Sequence, residues 1–340
     1  MACVCLSLSA CGGSTTSNGG ADDAASSVDS SNAPDVPSDV LGETPSIVDA
    51  KPVDASTDDS KRDTKPIADS SGCIDVTAAG AHTFTCDGIK YDVEIPDACT
   101  TTACGLVVDV HGFTMSAQME DANTAMRALG RKYGYVVVQP NANPAPPSAS
   151  WTPGTDDDRV FAFVQAAIAA LHVDRARVHF TGFSQGGMMT FRFLCKHADL
   201  FASMAPAAGT GCSFTAGDTP SREIPILYMH GTSDGLVSFT GYALPQRDAL
   251  LAAWSMDGGE VIASDSQFKR TRYKNARGTI FEFLQHDYAA ASPILKGHCY
   301  PGSTDKGGAP GQLFPFSCVG TSAFVWGEEA MKFFVAHPGK

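Results

Sequence analysis

The sequence predicts an α/β domain with a mostly parallel central sheet and helices on both faces. Three observations carry this. From residue 83 onward, short apolar runs alternate with longer runs of helical spacing. "GLVVDVHG" (105–112) and "YVVVQP" (135–140) are apolar but for Asp109, His111 and Gln139, with no alternation of polar residues, as strands covered on both faces should be. A serine flanked by glycines sits where one strand turns into a helix, in "VHFTGFSQGGMMTF" (178–191).

Taken in order, "TFTCDGIKYDVEI" (83–95) predicts a β-hairpin turning at Asp87-Gly88, a pair that tolerates positive φ. After strand 105–112, "SAQMEDANTAMRALGRKYG" has helical spacing, and strand 135–140 follows. "DDDRVFAFVQAAIAALHV" (156–173) opens with three acids, which suit the positive end of a helix dipole. Its apolar face is Val160, Phe163, Val164, Ala167, Ile168 and Leu171. Strand 177–181, a helix from 185, strands in "FASMAPAAG" and "IPILYMHG", and helix "PQRDALLAAWSM" continue the alternation. "TRYKNARGTIFEFLQ" predicts a strand hairpin, and "AFVWGEEAMKFFVAH" a closing amphipathic helix.

The chain divides by composition. Residues 1–72 hold no aromatic residue and carry 12 acidic against 4 basic side chains, a charge of −8 out of −13 overall. Such a segment cannot bury enough apolar surface to offset its ordering entropy. Residues 12–72 are therefore expected to be a disordered acidic linker, and 73–340 the catalytic domain. Residues 1–11 end in "LSAC". That stretch resembles a bacterial lipoprotein signal whose Cys11 is lipidated, truncated at its start because no basic residue precedes the apolar run. A membrane partner through that anchor, and an exported or cell-surface location, follow as expectations. The acidic balance excludes nucleic acid, which needs clustered Lys and Arg.

Eight of the 11 cysteines lie in the predicted domain. They fall into near neighbours, which suggests pairing of Cys73 with Cys86, Cys99 with Cys104, Cys195 with Cys212, and Cys299 with Cys318. No C-x2-C spacing calls for a metal.

The chemistry centres on Gly182-Phe183-Ser184-Gln185-Gly186. G-x-S-x-G arises by chance about 0.3 times in a chain of this length and glycine content, so its context decides. A strand before it and a helix after it would hold Ser184 exposed on a tight turn. The Gln185 N–H would then face a developing oxyanion. A nucleophilic serine needs a base and an orienting acid, expected in the order serine, acid, histidine. "ILYMHGTSDGLV" places Asp234 in the loop after a buried strand; Asp257 and Asp265 follow no such strand. His298 in "KGHCYPG" is held beside Cys299 and is the expected base. His286 continues a strand pattern and is expected at the surface of a strand end; His230 precedes the acid and breaks the order. The second oxyanion donor is expected from Phe113, after the turn at Gly112.

Together "HGFTMSA", "GFSQGGMM", "HGTSDGLV" and "GHCYPG" resemble the polyhydroxybutyrate depolymerase, feruloyl and acetylxylan esterase group of secreted α/β-hydrolases, over about residues 73–336. The group's last motif ordinarily has Trp where this chain has Tyr300. The resemblance implies an α/β-hydrolase fold and ester hydrolysis through an acyl-enzyme on Ser184, without metal or cofactor. Trp151, in "WTPGTDDDRVF", and Tyr300 become candidate substrate contacts, with core packing the alternative for Trp151. The implied partner is an ester substrate, polymeric in some members, for a monomer. Two other functions fit the motifs: a phospholipid or acyl-protein carboxylesterase, and a non-catalytic surface binding protein on a hydrolase scaffold.

Overall fold

The computed structural model describes residues 72–339; the linker and Cys11 lie outside them. The first strands are β1 (Gly80–Cys86), β2 (Ile89–Ile95), β3 (Cys104–Val110) and β4 (Tyr135–Asn141). β5 (Val173–Phe183), β6 (Ser203–Ala207), β7 (Ile226–Gly231), β8 (Glu260–Ser264), β9 (Phe268–Lys274) and β10 (Ile280–His286) follow. They form one sheet in the order β1-β2-β4-β3-β5-β6-β7-β10-β9-β8. The six strands from β4 to β10 in that order are parallel, and each edge is finished by an antiparallel pair.

The expected hairpin is β1–β2. Asp87 and Gly88 both take positive φ, 48° and 80°, as a tight two-residue turn requires. The expected helix after β3 is two helices, α1 (Ala117–Thr124) and α2 (Met126–Tyr133). They break at Ala125, which is left-handed at φ 54°. Asp121 holds the break, accepting the Arg127 N–H on its side chain at 2.8 Å and the Ala125 N–H on its carbonyl at 2.7 Å. β8 was not legible in the sequence: an edge strand with exposed faces leaves no apolar pattern.

α3 (Thr155–Ala170), α4 (Gln185–His197) and α5 (Leu244–Ala253) pack on one face of the sheet. α1, α2 and α6 (Trp326–Ala336) pack on the other. Each face has its own apolar core, as a sheet covered on both sides demands. Arg192 of α4 clamps the buried Asp157 of α3 through two 2.7 Å bonds, locking those helices together.

The four expected disulfides are present, with Cα–Cα separations of 5.8, 5.3, 5.7 and 5.1 Å in chain order. Among the described residues, no helix is long and apolar enough to cross a membrane.

Candidate active site

Ser184 follows the last residue of β5 and precedes the first of α4. Its backbone has φ 55° and ψ −116°, a region that side chains other than glycine seldom occupy. The turn is held on both sides: Ser184 N–H donates to Ala207 O at 2.9 Å, and its carbonyl accepts Met188 N–H at 2.8 Å. The flanking glycines are steric requirements. A Cβ on Gly182 would lie 2.6 Å from the Gly186 carbonyl carbon, and one on Gly186 would collide with the Val110 carbonyl. β3, β5 and α4 therefore meet more closely than any side chain would allow, and the bend projects Ser184 above the sheet.

Asp234 lies three residues beyond β7, and His298 in the loop after β10. The two loops pair through a bridge between Asp234 and Lys296. His298 Nδ1 is 2.7 Å from Asp234 Oδ2. The other carboxylate oxygen accepts the N–H groups of Leu236 at 2.8 Å and Val237 at 2.7 Å. Burial on its own raises the Asp234 pKa. The hydrogen bond and charge of His298, with smaller help from His230 and the Val237 N–H, outweigh it and hold the carboxyl below its ordinary value. The acid is thus ionised where a partly buried carboxylate must be to orient an imidazole.

The Phe183 ring packs against the His298 ring with centroids 4.7 Å apart, which brings His298 beside the strand end that carries Ser184. Neither Ser184 Oγ nor His298 Nε2 has a hydrogen-bond partner among the described residues. The serine–histidine bond is not formed here; such bonds are often long before substrate binds.

Phe113 follows Gly112 in the loop after β3, and a Cβ on Gly112 would stand 3.0 Å from Ser184 Cβ. Thr114 N–H donates to Ala149 O at 2.8 Å, and Met115 N–H to Gly112 O at 3.2 Å. The Phe113 and Gln185 N–H groups have no acceptor among the described residues. Both belong to backbone that borders Ser184.

Two supports of this loop were missed in the sequence. His111 is fully buried, its Nδ1 2.7 Å from Gly112 O and its Nε2 accepting the Ala142 N–H at 3.0 Å. Burial lowers its pKa to about 4, so the ring is neutral and Nδ1–H is the donor. The Gln185 carboxamide accepts the Trp151 N–H at 3.0 Å. A histidine closing a mostly apolar run was the available signal for the first.

Trp151 is buried, and its indole N–H donates to His111 O at 2.8 Å. Its core-packing alternative is the one the geometry fits. Tyr300 is wholly buried, stacked on Phe183 at 4.0 Å, with its hydroxyl 2.5 Å from Glu120 Oε2. As a substrate wall it is corrected: a side chain without exposed surface cannot touch a ligand. His286 is also corrected. It ends β10 as expected but is buried, because β10 lies inside the sheet between β7 and β9. His230 lies 3.4 Å from Asp234 Oδ2, with its Nε2 2.8 Å from Val237 O. Asp257 and Asp265 bind backbone N–H groups in exposed turns. Among the described residues, Cys195, Cys212 and Asp218 form the one cluster with metal-ligand geometry, and its two thiols are joined in a disulfide.

A groove of about 450 Å³ lies beside the loop after β3. Lys90, Asp92, Ser116, Gln118, Asn141 and Asn143 supply its polar lining.

No family model matches the chain. It is 28% identical over 136 residues to a bifunctional acetylxylan esterase/xylanase of Neocallimastix patriciarum, spanning 39% of this chain and 20% of that protein. It is 29% identical over 168 residues to feruloyl esterase B of Piromyces equi, spanning 45% of this chain and 30% of that one. The chain thus spans less than a third of the length of these curated relatives. The solved acetyl xylan esterase of Aspergillus awamori superposes with a TM-score of 0.54 at 14% identity, over 76% of this chain and 99% of that one. The fold is that of an α/β-hydrolase. The relatives bear two of the names in the group that the sequence resembles, acetylxylan esterase and feruloyl esterase.

Proposed function

We propose that the chain is a serine carboxylester hydrolase acting on acetyl or feruloyl esters of a plant cell-wall polysaccharide. The observation that carries this is the 2.7 Å bond between His298 and a buried Asp234, beside a strained Ser184 at the carboxyl end of the sheet. His298 Nε2 takes the Ser184 proton as Oγ attacks the ester carbonyl. The Phe113 and Gln185 N–H groups receive the oxyanion. The imidazolium, stabilised by Asp234, returns the proton to the leaving alcohol, and an acyl-enzyme remains. Water, activated by the same imidazole, then releases the acid.

The names of the relatives support acetyl and feruloyl esters. Four disulfides favour an oxidising compartment, and export belongs to the proposal. Anchoring through a lipidated Cys11 would add tethering to it, and mass spectrometry of the mature N-terminus tests that step.

A fluorophosphonate probe followed by peptide mapping tests the nucleophile, and labelling anywhere but Ser184 removes it. Initial rates on acetylated xylan, methyl ferulate and a hydroxybutyrate oligomer test the substrate. A preference for the oligomer would overturn the polysaccharide reading while leaving the esterase.

A further inference from the structure

Tyr300 stands two residues after His298, stacked on the ring that precedes Ser184. Its hydroxyl leads into a buried acid cluster that the reaction does not use. Glu120 of α1 accepts it on Oε2, at 2.5 Å. Asp109 of β3 accepts Thr124 Oγ1–H and Gln139 Nε2–H on Oδ2, each at 2.8 Å. Both carboxyl side chains are fully buried. Asp109 Oδ1 and Glu120 Oε1 are sealed from solvent without a hydrogen-bond partner. Thr124 Oγ1 ties the two residues together, 2.8 Å from Asp109 Oδ2 and 3.1 Å from the Glu120 carbonyl oxygen.

A buried carboxyl oxygen without a donor is costly, and one proton placed between two such oxygens would satisfy both. With Glu120 protonated on Oε1 and donating to Asp109 Oδ1, every oxygen of both groups is satisfied. With both ionised, two negative charges would face each other without water, an arrangement that proteins avoid by retaining a proton. We propose that Asp109 and Glu120 share one proton, and that the pair acts through Tyr300 as a positioning device for the loop that carries His298.

The surroundings favour retention of that proton. Asp121 on α1 adds negative charge beside both carboxyl groups, and Asp305 adds it beside Tyr300. Arg127 of α2 reaches Asp109 through Gln139, whose Oε1 accepts the Arg127 Nε–H at 2.6 Å. Burial first, and then Asp109, raises the Glu120 pKa well above the ordinary carboxyl range. Burial likewise raises Asp109, to about 6, against the hydrogen bonds of Gln139 and Thr124.

Loss of the proton would drive α1 away from β3, and with it the Tyr300 anchor. The link to catalysis rests on the proposed esterase reaction; the proton itself does not. Infrared spectroscopy of the full chain at neutral pH should show the carbonyl band of a buried, protonated carboxylic acid, absent in Glu120→Gln. The amide of that variant can still donate to Asp109 and accept from Tyr300, but it has no proton to lose. Above the ionisation of the pair, wild-type kcat should fall about tenfold per pH unit, and Glu120→Gln should lack that limb. Absence of the carboxylic acid band in the wild type overturns the shared proton, whether or not the variant folds. A band with an unchanged alkaline limb in Glu120→Gln overturns the positioning role alone.

Discussion

The indole N–H of Trp151 donates a 2.8 Å hydrogen bond to the carbonyl of His111, the residue between the end of β3 and Gly112. A buried aromatic thereby fixes the backbone that carries the proposed oxyanion donor, the Phe113 N–H. Trp151→Phe keeps most of the ring and deletes the donor. Removing an oxyanion donor outright costs about 10²–10³ in kcat, so losing a support of that donor should cost about tenfold, with KM little changed. A rise in KM at constant kcat would make Trp151 a substrate contact instead.

Asp234→Asn should lower kcat by about 10⁴ while the fold persists, because an amide cannot hold the imidazole in the required tautomer. Ser184→Ala and His298→Ala should each be at least as damaging, since the three act as a unit. His286→Ala should leave kcat per folded molecule largely intact, although removal of a buried ring lowers the melting temperature. Kinetics normalised to active protein decide the ranking, and a larger kcat loss in His286→Ala than in His298→Ala would move the base.

Stability should fall as the solution is acidified below about pH 6.5. Burial depresses the pKa of His111 and His286 to about 4 and of His179 to about 3, from an ordinary value of 6.5. Between those values the unfolded chain binds protons that the folded chain refuses, so folding stability rises with pH across the window. Asp109 and Glu120, both raised by burial, act with the opposite sign and reduce the slope without reversing it. The urea midpoint should therefore be lower at pH 4.5 than at pH 7, and His286→Leu should narrow the gap. An equal gap in that variant would show that His286 is charged in the folded state.

The disulfide between Cys299 and Cys318 closes 19 residues of the loop beside His298. Replacing both cysteines with serine should cost about 3 kcal/mol from the loop-entropy term. It should also lower kcat more than the double replacement of Cys73 and Cys86, which lie at the far edge of the sheet. Equal kcat losses for the two pairs would separate the crosslink from the positioning of the base.

The sequence by itself determined the alternation of strand and helix, because burial on both faces writes a dense apolar run with few polar residues. It also determined the Ser184 turn, because only glycine fits where β3, β5 and α4 touch. The near-neighbour cysteine pairs were legible for a similar reason: short closed loops leave few competing partners. Tertiary structure decided what depends on neighbours remote in the chain. Tyr300 and Glu120, 180 positions apart, meet only because α1 and the loop after β10 pack on the same face of the sheet. His286 is buried because β9 covers the strand it ends, a pairing that its own segment does not encode. The break at Ala125 is set by Asp121 and by the close approach of Gly327 of α6 to the Thr124 carbonyl, and helical spacing records neither. Periodicity reports which face of an element is covered. What covers it, and which polar groups then share a proton, is fixed only when the elements assemble.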